Sequence, residues 1–267
     1  MDVAKLFSLE GRIAVVTGGS RGIGRMIAEG YLAAGCERVY ITARKASDVE
    51  GAAAELGSRC VPLPGDISTR EGIAALVAEL MARESRIDIL VNNAGVAWGA
   101  EFEDFPEIGW DKVMDLNVKT PFFLTQQLHP LLCAAASAER PAKVINIGSV
   151  DGLRINPWET YSYQASKAAV LHLTKRMAAR LVRDHIHVSA IAPGAFPSKM
   201  NRAAALAPER SSAGIPSGRV GDAEDMAGAA IYLASRAGDY VVGSNIPVDG
   251  GVVNAWMPAD FLDPSGH

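Results

Sequence analysis

Seven short runs rich in β-branched residues recur along the chain: Arg12 to Thr17, Arg38 to Thr42, Arg59 to Leu63, Ile87 to Asn92, Lys143 to Gly148, His187 to Ala192 and Asn245 to Val248. Longer alanine-rich stretches of helical character separate them, and this alternation constrains the fold more than any single motif. Strand, helix, strand is the repeating unit of a mostly parallel sheet, and nearly continuous apolar runs mark strands buried on both faces. The rhythm predicts an α/β fold: a doubly wound, mostly parallel, seven-stranded Rossmann-type sheet with helices on both faces. No linker, repeat or low-complexity tract interrupts it, so residues 1–267 are expected to form a single domain. Ser198 to Arg219 breaks the rhythm and, with its lead-in from about 196, is the expected mobile loop over the substrate; 253–267 is a tail. Two helix starts are marked, by the capping-box pattern Ser68-Thr-Arg-Glu71 and by the carboxylates of Asp222-Ala-Glu-Asp225.

Composition narrows the partners. With 49% hydrophobic and 21% charged residues the chain reads as an ordinary folded protein, and a net charge of −4 lacks the basic footprint of a nucleic-acid binder. No apolar run approaches the ~20 residues of a membrane span, and Met1-Asp-Val-Ala-Lys-Leu lacks the build of a secretory signal. Cys36, Cys60 and Cys133 form no CxxC pair, which favours reduced thiols and a cytoplasmic location. His185 and His187 have a spacing that would suit a metal on a strand, but they fall where a helix gives way to a strand. They read as polar boundary residues, and no metal is expected.

Directly after the first run comes Thr17-Gly-Gly-Ser-Arg-Gly-Ile-Gly24, followed by a helical stretch beginning at Arg25. Glycines allow a tight turn and close approach of a phosphate, and the new helix offers it unpaired N–H groups and a positive dipole end. Gly18, Ser20, Arg21, Gly22, Ile23 and Gly24 are therefore candidate cofactor contacts. A carboxylate about 20 residues further on would bond the ribose 2′-hydroxyl of NAD(H). Here Tyr40-Ile-Thr-Ala-Arg-Lys45 offers Arg44 and Lys45 instead, and with Arg21 these cations suit the 2′-phosphate of NADP(H), the expected cofactor. Asp66 and Ile67 can receive the adenine, or Asp66 can cap the turn before Ser68; the two readings are compatible. Asn93, in Asn92-Asn-Ala-Gly95, lies at the carboxyl end of the fourth run, where ligands bind in such sheets, though a purely structural turn fits it as well.

Tyr163 and Lys167 stand four residues apart and so share one helix face. A phenol titrates near ~10, and a cation within reach favours the phenolate, so Lys167 is expected to lower that value and fit the phenol for acid/base work. Tyr161 has Ala165 in the corresponding place and reads as packing or pocket lining.

As an ordered set these residues resemble the short-chain dehydrogenase/reductase family. The resemblance rests on the glycine motif at 18 to 24, Asn92-Asn-Ala-Gly95, Asn117 in Asp115-Leu-Asn-Val118, Ser149 in Asn146-Ile-Gly-Ser-Val150, Tyr163 with Lys167, and Pro193-Gly194. It runs from about Leu9 to Val252 and is greatest for the branch of NADPH-dependent 3-oxoacyl and carbonyl reductases. It implies that Tyr163 protonates a carbonyl oxygen as hydride arrives from the nicotinamide, while Ser149 hydrogen-bonds that oxygen. Lys167 would tune the phenol and, with Tyr163, contact the nicotinamide ribose. Asn117 would hold, through its backbone, a water that links the lysine to solvent. Pro193, Gly194, Phe196 and Ser198 would line the nicotinamide, Ser198 standing where relatives often carry threonine. Asp151 departs from the small apolar residue usual after the serine; it either orients a polar substrate or faces solvent.

The pocket is expected from Trp98, Asp151, Leu153, Ile155, Trp158 and Phe196; all but Asp151 are apolar, which favours bulky aliphatic or aromatic ketones over sugars, unless these residues simply pack. The main reading is thus a reversible NADPH-dependent ketone reductase, an alcohol dehydrogenase in reverse. The alternative is a 3-oxoacyl-thioester reductase whose basic entrance is Arg154, Lys199 and Arg202, cations that equally suit a soluble loop. A non-catalytic NADP(H)-binding sensor is the remaining possibility. The resemblance further implies a homotetramer, with the helices of Asn117 and Tyr163 at one interface and the chain's end at another. An apolar tail of Trp256, Met257, Phe261 and Leu262 fits that second interface.

Overall fold

The computed structural model describes residues 1–198 and 200–256. Lys199, the side chain of Arg202, and Met257, Phe261 and Leu262 lie outside the described residues.

Seven strands form, each bounded within two residues of the run that predicts it: β1 (Ile13–Thr17), β2 (Arg38–Ala43), β3 (Cys60–Pro64), β4 (Ile89–Asn92), β5 (Ala142–Ile147), β6 (Ile186–Pro193) and β7 (Asn245–Val248). The helices are α1 (Val3–Phe7), α2 (Gly22–Ala33), α3 (Ala46–Leu56), α4 (Arg70–Arg83), α5 (Glu107–Met114), α6 (Thr120–Ala135), α7 (Tyr161–Leu181), α8 (Arg202–Leu206), α9 (Pro208–Ser212) and α10 (Ala223–Ala234). All strands pair in parallel in the order β3-β2-β1-β4-β5-β6-β7. The chain winds outward from β1 to β3, returns to β4 on the other side of β1, and winds out again to β7. Between β1 and β4 the loops at the carboxyl ends diverge, which opens a crevice there.

The alternation of side chains along the strands divides the core in two. Ala14, Val16, Ile89, Val91, Ile145 and Ile191 face Ile27 and Tyr31 of α2, Val49 of α3 and Met226 of α10. Val15, Leu90, Val144 and Val188 face Leu76 and Leu80 of α4, Leu124 and Leu128 of α6 and Met177 of α7. Because each face has its own helical cover, successive strand residues are all buried, at about 1.5–3 kcal/mol for each large side chain. That is the physical origin of the unbroken apolar runs.

Two local expectations change. Asp222 caps α10 as its spacing predicts, accepting from the N–H groups of Glu224 and Asp225 while the Asp222 N–H donates to the Asp225 carboxylate. The box predicted at Ser68 moves one residue: Thr69 caps α4 and accepts from Gly72 N–H at 3.0 Å. Ser68 is diverted because its N–H and hydroxyl both donate to Asp66 Oδ1, at 3.0 and 2.7 Å. The segment after Ser198 is also more ordered than a plain loop, since three consecutive alanines favour α8 and Pro208 starts α9.

At the amino ends of the strands lies a charged cluster. Asp88 is fully buried, accepts from Ile13 N–H at 2.9 Å, and has the guanidinium groups of Arg12, Arg86 and Arg140 at 3.7, 3.4 and 3.3 Å. All three cysteines are free, Cys36 and Cys60 buried and Cys133 exposed. His185 adopts a left-handed φ of 56° at the entry to β6, and His187 lies within that strand. Among the described residues no helix is long and apolar enough to cross a membrane.

Candidate active site

The loop after β1 turns through Gly18 and Gly22, both at positive φ (67° and 54°), a region side chains rarely adopt. Asn93, arriving from β4, locks it: the side-chain amide donates to the carbonyls of Thr17 (2.8 Å) and Gly18 (3.2 Å), and its backbone N–H donates to the Thr17 hydroxyl (2.9 Å). The approach is so close that a Cβ at Gly24 would fall 2.4 Å from Asn93 Nδ2. Asn93, expected against the cofactor, has its amide hydrogens committed to this loop instead. Ser20 and Ile23 are half-buried in the same turn. The turn opens onto the first N–H groups of α2, whose N-cap, Arg21, makes no side-chain cap bond. Those donors are available to a phosphate.

Arg44 and Lys45 are exposed at the end of β2, beside this turn. Arg21 is exposed too and lies 3.3 Å from the carboxylate of Asp48 on α3, which tethers it within the same region. Against a desolvation penalty, the two Ser68 bonds and the charges of Arg44 and Lys112 hold the exposed Asp66 carboxyl below its usual range. Ile67 departs from expectation. At 5% exposure it belongs to the core beneath α4 and has little surface left to lie on a base.

The catalytic candidates converge on the other side of the crevice. Ser149 follows β5, is buried, and begins the single turn Val150–Gly152, its hydroxyl accepting from Asp151 N–H at 3.1 Å. That turn rests on α7, because Gly152 has no side chain: a Cβ there would lie 2.6 Å from the carbonyl carbon of Lys167. Tyr163 and Lys167 occupy one face of the first turns of α7, with Lys167 Nζ 5.6 Å from the centre of the phenol ring and donating to the Ile147 carbonyl at 2.7 Å. Asn117 sits in a π-helical stretch, Asp115–Lys119, that joins α5 to α6 without a break. Its side chain accepts from Val96 N–H (2.9 Å) and donates to the Val96 carbonyl (2.9 Å) and the Ser166 hydroxyl (3.0 Å); that hydroxyl in turn donates to the Tyr163 carbonyl (2.7 Å). A Cβ at Gly95 would lie 3.2 Å from Asn117 Oδ1 and 3.7 Å from Lys167 Nζ, which places the two within one small volume. Ser166, the bridge between Asn117 and α7, carries no motif of its own, although its place between Tyr163 and Lys167 is a clue.

The electrostatics correct one expectation. Burial pushes the Tyr163 phenol up to about 12, more than the Ser149 hydroxyl's hydrogen bond lowers it, and the nearby Asp151 adds to the rise. Burial likewise pulls Lys167 down to about 8, against the attraction of Asp151. Desolvation therefore outweighs the expected lowering of the phenol by the ammonium. The consequence is a phenol that keeps its proton at neutral pH. Asp151, half-buried and acting on both groups, is part of this electrostatic environment.

Farther out, Pro193 ends β6 and Gly194 N–H donates to the Val248 carbonyl at 2.9 Å. Ser198 comes close to the glycine loop, its Cβ 3.3 Å from where one on Gly22 would stand, and its hydroxyl accepts from Asn201 N–H at 3.0 Å. Phe196, expected to line the cofactor and substrate, is 3% exposed and packs in the core below Gly221; an aromatic ring of that size is more stable there. Trp98 packs on α5 at Gly109 with Lys112 5.5 Å above its ring. Leu153, Ile155 and Trp158 are exposed, and an open groove of about 360 Å³ lies between Arg154, Ile155, Val252, Val253 and Trp256. Arg154 is drawn to one wall by donating to the Val252 carbonyl at 2.8 Å. Tyr161 stacks edge-on with Phe102 and Phe105, each at 5.6 Å.

Residues 18–253 match the family model described as enoyl-(acyl carrier protein) reductase. The chain is 52% identical over 250 residues to the rhamnolipids biosynthesis 3-oxoacyl-[acyl-carrier-protein] reductase of Pseudomonas aeruginosa, covering 92% of this chain and 97% of that protein. It is 38% identical to the 2-dehydro-3-deoxy-D-gluconate 5-dehydrogenase of Escherichia coli, covering 93% and 98%. Among solved structures, the Pseudomonas aeruginosa RhlG/NADP active-site complex superposes with a TM-score of 0.90 at 51% identity, covering 93% of this chain and 99% of that one. A gluconate 5-dehydrogenase from Burkholderia cenocepacia in complex with NADP and tartrate superposes with a TM-score of 0.87 at 33% identity, covering 96% and 100%.

Proposed function

Since this chain belongs to the short-chain dehydrogenase/reductase family, we propose that it is an NADPH-dependent reductase of 3-oxoacyl thioesters. The observation that carries the reaction class is the meeting of Ser149, Tyr163, Lys167 and Asn117 beside a glycine turn that opens onto the start of α2. The glycine turn fits a dinucleotide: it leads onto the uncapped first N–H groups of α2, which suit a pyrophosphate, and Arg44 and Lys45 stand where a 2′-phosphate would lie. NADPH would supply the hydride. Ser149 would hold the substrate oxygen, Tyr163 Oη would give it a proton, and Lys167 would bind the ribose, while a water held by the Asn117 backbone would connect the lysine to solvent and restore the proton. Ser20, Arg21, Gly22 and Ile23 complete the phosphate cradle in this assignment, and Pro193, Gly194 and Ser198 border the nicotinamide.

Two relatives bear on the substrate in different directions, a 3-oxoacyl reductase at 52% identity and sugar-acid dehydrogenases below 40%. The higher identity, and exposed Leu153, Ile155 and Trp158 beside the Arg154 groove, favour an acyl chain over a sugar and over a plain bulky ketone. Assembly as a homotetramer belongs to the same proposal, since Ile108 and Trp110 of α5 and Phe122 and Phe123 of α6 are exposed for a second copy to cover. Free thiols suit a cytoplasmic setting.

NADPH oxidation measured with 3-oxoacyl thioesters and with aliphatic and aromatic ketones tests the substrate. We expect kcat/KM at least roughly tenfold higher for the thioesters, a difference of about 1.4 kcal/mol in transition-state binding. Equal or better turnover of simple ketones would restore the bulky-ketone reading, and firm NADPH binding with no turnover would leave a sensor. A second measurement concerns the cofactor. Arg44→Asp should lower the ratio of NADPH to NADH efficiency by roughly ten- to a hundredfold, the equivalent of losing about 1.5–3 kcal/mol from a hydrogen bond between charged groups. An unmoved ratio would remove Arg44 from the phosphate site.

A further inference from the structure

Away from the crevice, three potential metal ligands meet where α6 and α7 end. His129 and Cys133 stand one turn apart near the end of α6 and share a face. The turn Val182–Asp184, which continues α7, brings Asp184 across to them. His129 Nε2 is 2.9 Å from Asp184 Oδ2 and 3.4 Å from Cys133 Sγ, and one donor atom from each residue lies within 4.8 Å of the other two. An imidazole–carboxylate pair accounts for His129 and Asp184 but leaves the thiol on the same side unexplained. We propose that His129, Cys133 and Asp184 form a binding site for a divalent ion of the zinc type, fastening the end of α6 to the turn between α7 and β6.

The donor set selects the ion. One sulfur, one imidazole nitrogen and one carboxylate oxygen suit Zn²⁺, whereas Ca²⁺ and Mg²⁺ require a shell of oxygens. With bonds of about 2.0–2.3 Å, a tetrahedral zinc ion separates its donors by roughly 3.3–3.6 Å, so the nitrogen already stands near its place relative to both partners. Cys133 lies in the last turn of α6 and Asp184 three residues past α7, and a cation near the carboxyl end of a helix is favoured by its dipole. Arg180 is the built-in competitor: its guanidinium donates to Asp184 Oδ2 at 2.7 Å from an exposed side chain that can swing into water. On binding, Cys133 releases its thiol proton to solvent and coordinates as thiolate, His129 coordinates neutral, and a water fills the fourth position. None of the three residues belongs to the reductase site, so the proposal stands apart from that assignment.

Metal-stripped full-length protein titrated with Co²⁺ and then Zn²⁺ decides the matter. We expect one equivalent of cobalt to give the visible bands of a four-coordinate ion together with a thiolate-to-cobalt band in the near ultraviolet, both abolished by zinc. Cys133→Ser should delete the thiolate band, His129→Ala should weaken zinc at least tenfold, and Arg180→Ala, which removes the competitor, should tighten it. The substituted side chains are all partly exposed, and circular dichroism verifies that each variant is folded. No saturable cobalt spectrum in the wild type, or a spectrum unchanged in both Cys133→Ser and His129→Ala, overturns the site.

Discussion

Tyr163→Phe should lower kcat for carbonyl reduction between about a hundredfold and ten-thousandfold, the range general acid catalysis supplies, because the ring stays and only the proton donor leaves. NADPH affinity should move less than about tenfold, since one neutral hydrogen bond contributes about 0.5–1.5 kcal/mol. The direction of the phenol's shift adds a signature. A group held up to about 12 by burial stays protonated through the neutral range, so any change in wild-type reduction as pH rises through about 8 should follow Lys167, which burial pulls down to about 8, and not the phenol. The reverse oxidation needs the phenolate and should speed up as pH rises. Steady-state kinetics in both directions, with NADPH titrated by fluorescence, make the comparison. A variant that keeps a near-wild-type rate removes Tyr163 from proton transfer.

Asp88→Ala should cost about 3–5 kcal/mol of folding stability, read from urea denaturation, because it strips the fully buried carboxylate that three guanidinium groups share at the amino ends of the strands. Two effects combine. Arg12 remains buried with Arg140 nearby, a repulsion that already acts with burial to lower its pKa, and Ile13 N–H loses its acceptor. The site lies at the other end of the sheet, so the folded fraction should keep wild-type kcat. A loss below about 1 kcal/mol would mean that solvent screens the cluster as it does a surface pair.

Much of this architecture was legible in the sequence. The strands announce themselves because burial on two faces demands apolar runs, and α10 carries its cap in its own spelling. Tyr163 and Lys167 could be paired from helical spacing alone, and Ser149 and Asn117 joined them through the resemblance. What escaped depends on neighbours far along the chain. Ile67 and Phe196 are apolar in any setting, and only the packed structure shows that they fill the core instead of facing a ligand. Asn93 was placed at the correct end of β4, but its partners, Thr17 and Gly18, lie 75 or more residues earlier. The sign of the Tyr163 shift is hidden for the same reason: proximity to a charge is visible in spacing, whereas the desolvation that raises the phenol is not.

The π-helical stretch at Asp115–Lys119 separates the presentation of Asn117 from the packing of the core. Each of its turns holds about one residue more than an α-helix, and one residue of α-helix corresponds to about 100° of rotation. The wider winding takes up that extra residue within about the same rotation, so Leu124 and Leu128 downstream keep their phase toward the sheet. Deleting one residue there should restore regular winding and leave the core in place while withdrawing Asn117 from Val96 and Ser166, so the irregularity presents Asn117 without being required by the packing around it.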